Sequence, residues 1–287
     1  MQPVDILRAG DSLGEGLVWD GRRRRLWWTD IAGRRLHCLH DDGRREILPL
    51  PQRAASLALV QGSEQLLLAF DDRLALFDPA DTQQQIVWKL PPQPTGIRLN
   101  DGRVDRAGRF WCASMVEDGS GLAKASLYQL ERGMLRAVRD GIHIGNGLAF
   151  SLDGRTLYFA DSERHAIWRH ALDGDGRPGP PELFAQTPEQ VFPDGATVDG
   201  EDCLWIAHWG GAQVARYTPQ GRLDRVVTLP VSQPSCVCFG GTRRDLLFVT
   251  SARIDLTAER LAREPHAGDV FVYRVGVSGV EEPEYRR

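Results

Sequence analysis

Six times along this 287-residue chain, a short apolar strand pattern is followed by a polar turn and then by a second strand rich in Trp, Tyr and Phe or in Leu. The copies begin at Gly16, Leu57, Gly102, Gly147, Gly195 and Cys236, 41 to 48 residues apart. A repeat of that length built only from short strands predicts propeller blades. The expected fold is all-β, a six-bladed β-propeller forming a single domain over residues 1–287. An open ring would leave unpaired strand edges. Val4-Asp5-Ile6-Leu7 is therefore expected to pair with Asp269-Val270-Phe271-Val272-Tyr273 and complete the last blade. The best helix pattern is Thr257 to Arg263, with Thr257 as its cap. Pro91-Pro92-Gln93-Pro94 reads as a stiff connection, and the charged residues after Glu281 are expected to fray.

A net charge of -4 gives no electrostatic reason to expect nucleic acid or an anionic membrane as partner. The basic run Arg22 to Arg25 falls in a hairpin tip, where solvation accounts for it. Met1 opens a polar segment with no apolar stretch long enough for a signal peptide or membrane span, so the cytoplasm is the expected location. The five cysteines (Cys38, Cys112, Cys203, Cys236, Cys238) include no C-x-x-C pair and lie mostly in strand patterns. Buried reduced thiols are expected. The chain is separately expected to act as a monomer.

The residues just before the six apolar strands are Glu15, Ser56, Asp101, Asn146, Asp194 and Ser235. The first strand of each blade lines the central channel, so equivalent positions converge on the axis despite their distance in sequence. Four of these six carry carboxylate or amide oxygens. Crowded carboxylates resist ionisation unless a positive charge sits among them, and oxygen-only donors suit a hard divalent cation. This reading places a metal site at one mouth of the channel. The alternative is that each residue only caps its own turn, as Asp and Asn before Gly often do.

Several segments together resemble the senescence-marker-protein/gluconolactonase family, also called the regucalcin family. They are Leu13-Gly14-Glu15-Gly16, Arg98-Leu99-Asn100-Asp101-Gly102, Asn146-Gly147-Leu148, Pro193-Asp194-Gly195 and Ser235-Cys236-Val237-Cys238-Phe239-Gly240-Gly241. The resemblance covers nearly the whole chain in order and spacing. It implies a propeller that hydrolyses sugar lactones with one divalent metal ion (Ca, Zn, Mg, Mn or Fe(II)) held by Glu15, Asn146 and Asp194. It further implies that Arg98 and Asn100 bind substrate, with a further acid at Glu117 or Asp118. Arg98 has a second reading as a structural ion-pair partner of one of those two acids. His143, His208 and Trp209 sit where family members vary, at strand ends expected to face the pocket, and are read as part of its wall or as rim and packing residues.

A lactone is a cyclic ester, so its opening needs charge stabilised on the carbonyl oxygen and a base for the attacking water. Asp194 is the first choice for that base and Asp101 the second. The expected partner is thus a small-molecule sugar lactone, its identity open among aldonolactones. The competing readings are a non-catalytic metal-binding propeller and a phosphotriesterase-like hydrolase using the same metal site.

Overall fold

The computed structural model describes residues 1–91 and 96–287, so most of the connection at 91–94 lies outside the described residues. Among these, twenty-four strands form six antiparallel four-stranded sheets, arranged as the six blades of a β-propeller. The innermost strands are Gly14–Asp20, Ala54–Leu59, Ile97–Val104, Gly145–Phe150, Phe192–Val198 and Pro234–Gly240. Each packs beside the next around the axis, and the sixth returns to the first.

The ring closes as the sequence requires. Asp5–Leu7 adds to Val270–Tyr273 with Ile6 opposite Phe271, so an N-terminal strand completes the sixth blade. Asp269 then takes the backbone N–H groups of Ala9 and Gly10 at 2.9 and 3.1 Å, pinning the chain as it leaves the seam.

The aromatic second strands are explained by their burial between neighbouring blades. Trp27, Trp28, Trp111 and Trp205 are fully buried, each contributing roughly 1.5–3 kcal/mol through lost contact with water. The hairpin tips tie two of these indoles to the turn. Asp105 accepts the N–H groups of Ala107 and Arg109 and the indole N–H of Trp111 at 2.8 Å. Asp199 does the same for Glu201, Cys203 and Trp205, and also binds Arg216. One buried carboxylate thus shapes the turn and orients the core side chain that follows it.

Thr257 caps the short helix Ala258–Arg263, its hydroxyl accepting the Arg260 N–H at 3.2 Å. All five cysteines are free and buried. No helix among the described residues is long and apolar enough to cross a membrane.

The C-terminus departs from expectation. The residues after Glu281 do not fray: Tyr285 is 2% exposed and pairs in parallel with Val60. Its N–H reaches Leu59 O at 2.8 Å, and the Gln61 N–H reaches its carbonyl at 2.9 Å. A charged composition misled because one aromatic anchor is buried while the surrounding acids find arginines, Arg22 for Glu284 and Arg103 for Glu282.

Candidate functional site

In every blade the pairing between first and second strands slips at the same point. The shifts fall between Glu15 and Val18, Ala54 and Ser56, Leu99 and Gly102, Asn146 and Ala149, Pro193 and Ala196, and Pro234 and Val237. Such bulges leave residues unpaired and re-aim their side chains. The six positions singled out by the repeat all lie at these slips. Two glycines show why the sequence allows it. Gly147 has φ +64, in the left-handed region that a side chain disfavours. A Cβ on Gly195 would stand 2.8 Å from Cys236 Cα and Sγ in the next blade.

Glu15, Asp101, Asn146 and Asp194 are all buried. Burial, and next the charge of Asp101, push the Glu15 carboxyl from 4.5 up to about 8. Burial, then Glu15 and Asp101, push Asp194 well above its ordinary value. Burial also raises Asp101, opposed by the Leu148 N–H on its Oδ2 at 2.8 Å and by Arg103. The nearest arginines act on these acids only through space, because Arg98 pairs with Glu117 and Arg103 with Glu282. Among the described residues no three His, Cys, Asp or Glu side chains form a metal-holding group. A cation site here therefore needs the Asn146 amide as its third donor. The fit is chemical: buried carboxylates that repel one another, an amide at the equivalent bulge of the fourth blade, and charge that a hard divalent cation would offset.

A chain of hydrogen bonds runs behind the acids. Glu117 Oε1 accepts from Arg98 Nε at 2.7 Å, and Arg98 Nη1 donates to Asn100 Oδ1 at 2.8 Å. Asn100 Nδ2 donates to Asn146 Oδ1 at 2.8 Å and to Gly145 O at 3.0 Å. Asn146 Nδ2 donates to Ser162 Oγ at 2.9 Å, and Ser162 in turn donates to Pro193 O at 2.7 Å, beside Asp194. Burial raises the Glu117 carboxyl, yet Arg98 and Arg53 outweigh it and hold it below its usual range.

The two acids left open by the sequence separate clearly. Glu117 joins this chain, whereas Asp118 turns to Ser120 and Lys124 in an exposed loop, which bring it down to about 2. Sequence reasoning missed Arg53, which clasps Glu117 at 3.0 and 3.1 Å and Asp71 at 2.9 Å. Arg53 stands three residues before Ser56, as Arg98 does before Asp101 and His143 before Asn146. That second blade phase is the signal that would have found it. Ser162 was missed too, and no repeat marks it.

His143 is held by Asp161, its N–H and Nδ1 both 3.1 Å from Asp161 Oδ2. His208 does not join the pocket wall. It is 2% exposed, with Nδ1 3.0 Å from Gln213 Nε2 and Nε2 3.5 Å from the Tyr217 hydroxyl, both on the third strand of its blade. Burial lowers it to about 4. A strand end looks like a mouth position in sequence, but the pleat turns this ring into the blade. Trp209 is half-buried at the end of the same strand, opposite Phe192.

Comparison with known proteins bears on this arrangement. A profile of the family described as the SMP-30/Gluconolactonase/LRE-like region matches residues 13–253. A 6-deoxy-6-sulfogluconolactonase of Pseudomonas putida is 36% identical, covering 97% of this chain and 96% of its own. An L-arabinolactonase of Azospirillum brasilense is 38% identical, covering 94% of this chain and 91% of its own. The crystal structure of a calcium-binding protein, regucalcin, from Agrobacterium tumefaciens superposes with a TM-score of 0.94 at 31% identity, covering 100% and 99% of the two chains.

Proposed function

The chain belongs to the SMP-30/gluconolactonase/LRE-like family, and from that premise we propose that it opens sugar lactones to their hydroxy acids. One divalent cation would be held by Glu15, Asn146 and Asp194. The observation that carries this reading is that two buried carboxylates that push each other's pKa up, and one amide held at both ends, come from equivalent bulges of three different blades. Two of the relatives carry lactonase names, one for a six-carbon and one for a five-carbon acid, which supports the substrate class without choosing a member.

When bound, the cation would supply Lewis acidity for the lactone carbonyl. The chain does the rest. Asp194 takes the proton of the attacking water and returns it to the ring oxygen as the bond between the carbonyl carbon and that oxygen breaks. Asp101 is the weaker candidate because its Oδ2 is already committed to the Leu148 N–H. Arg98 spends Nε on Glu117 and Nη1 on Asn100 and Leu99 O, which leaves Nη2 for a substrate oxygen. Asn100 spends Nδ2 on Gly145 and Asn146, so its service to substrate is mainly through the Asn146 amide that it aims.

The test is to strip the protein of metal and assay a panel of pentono- and hexonolactones while restoring Ca, Mg, Mn, Zn and Fe(II) one at a time. Turnover restored by at least one ion, and abolished in Glu15→Gln, is expected. Tight cation binding with no lactone opened by any ion would replace the enzyme with a non-catalytic metal-binding propeller.

A further inference from the structure

Two residues beyond Asp101, the same inner strand carries Arg103 into the channel on the side away from Glu117. A guanidinium buried there needs a carboxylate partner, since an unpaired buried charge is strongly destabilising. The partner comes from the far end of the chain: Arg103 Nη1 pairs with Glu282, and Nη2 donates to Val237 O in the sixth blade at 3.4 Å. Their side chains are only 11% and 14% exposed.

Glu282 belongs to a segment laced across that mouth from blade to blade. The Gly200 N–H bonds to Ser278 O at 2.8 Å, the Gly279 N–H to Arg244 O at 2.8 Å, and the Arg286 N–H to Gly108 O at 2.8 Å. Two voids of about 10 Å³ flank the ion pair. One reaches from Gly16, Asp101 and Cys236 down to Glu282 and Pro283; the other lies by Phe150, Thr197 and Val280. Each has room for about one water.

We propose that the C-terminal segment 278–286 is a stopper that makes the channel one-ended, and that Glu282 is the positioning residue that holds Arg103 beneath Asp101. Water and substrate then reach the acids only from the Glu117 mouth. The inference does not depend on which substrate, or whether any lactone, is turned over.

Cys238 reports on the seal: it is fully buried, and both Glu282 and Arg103 act on it electrostatically. The experiment follows Cys238 modification by a small cationic thiol reagent, read by peptide mass spectrometry. It compares the full chain, Glu282→Asp, Glu282→Gln and a chain ending at Gly276. The full chain and Glu282→Asp should react slowly, Glu282→Gln several-fold faster, and the shortened chain at least tenfold faster. Should the shortened chain not fold, the two full-length variants decide: equal protection in Glu282→Gln and wild type overturns the role of Glu282. A folded shortened chain with a wild-type rate overturns the stopper.

Discussion

Asn100 Nδ2 donates to Asn146 Oδ1 at 2.8 Å, joining the third blade to the fourth beside the channel axis. Because Asn146 Nδ2 is taken by Ser162, both ends of the Asn146 amide are fixed, and its oxygen cannot rotate freely. Arg98 and Glu117 fix Asn100 in turn. Groups that orient a metal-binding side chain typically matter ten- to a hundredfold to metal affinity.

Asn100→Ala should therefore weaken divalent-cation affinity by about 10- to 100-fold although Asn100 is not proposed as a ligand. Isothermal titration of the metal-stripped variant checks this. Affinity equal to wild type would return Asn100 to a role in substrate reading alone.

Arg98→Lys should lower kcat/KM by a factor corresponding to about 1.5–3 kcal/mol, because lysine cannot span Glu117 and Asn100 with two fixed N–H groups. Cation affinity should fall less than in Asn100→Ala. A larger loss of affinity than of turnover would show that Arg98 serves only to brace the amide.

The pH dependence of the metal-free protein follows from Glu15. Its folded value of about 8 lies above the unfolded 4.5, so between these limits the folded state binds more protons than the unfolded state. Stability should fall as pH rises through that window, with Asp194, raised by burial and Glu15, acting in the same direction. The clean interval is pH 6.5 to 8, above the range in which His208, lowered to about 4, affects stability. Melting temperatures should drop across it in wild type and drop less in Glu15→Gln. A saturating divalent cation should remove most of the slope, since it competes with those protons.

At saturating metal, Asp194→Asn should reduce kcat more than Asp101→Asn. Asp194 is proposed as both ligand and base, while Asp101 is tied to a backbone N–H. Single-turnover rates measure this. The reverse order would move the base to Asp101.

Asp199→Ala should cost about 1–3 kcal/mol of stability by removing the buried one of Arg216's three carboxylate partners, Glu201 and Asp224 remaining. The Trp205 indole N–H loses its acceptor as well. Denaturant melts should record the loss while cation affinity stays within twofold, because Asp199 sits at a hairpin tip away from the bulges.

The sequence by itself determined the number of blades, the closing strand, the Thr257 cap and the six channel-lining positions. Each blade is a run of hairpins between sequence neighbours, so strand period, turn residues and repeat spacing carry its information locally. That Glu15, Asp101, Asn146 and Asp194 occupy matching positions at the register slips was legible because the repeat superposes equivalent positions. Tertiary structure alone decided the contacts that repetition does not encode. It set Glu117 and not Asp118 against Arg98, turned His208 into its blade, brought Arg53 to Glu117, and seated Tyr285 and Glu282 across the far mouth. These depend on which way a pleat or bulge turns one side chain and on charges 19 to 179 residues apart finding each other, and no local pattern in the chain records either.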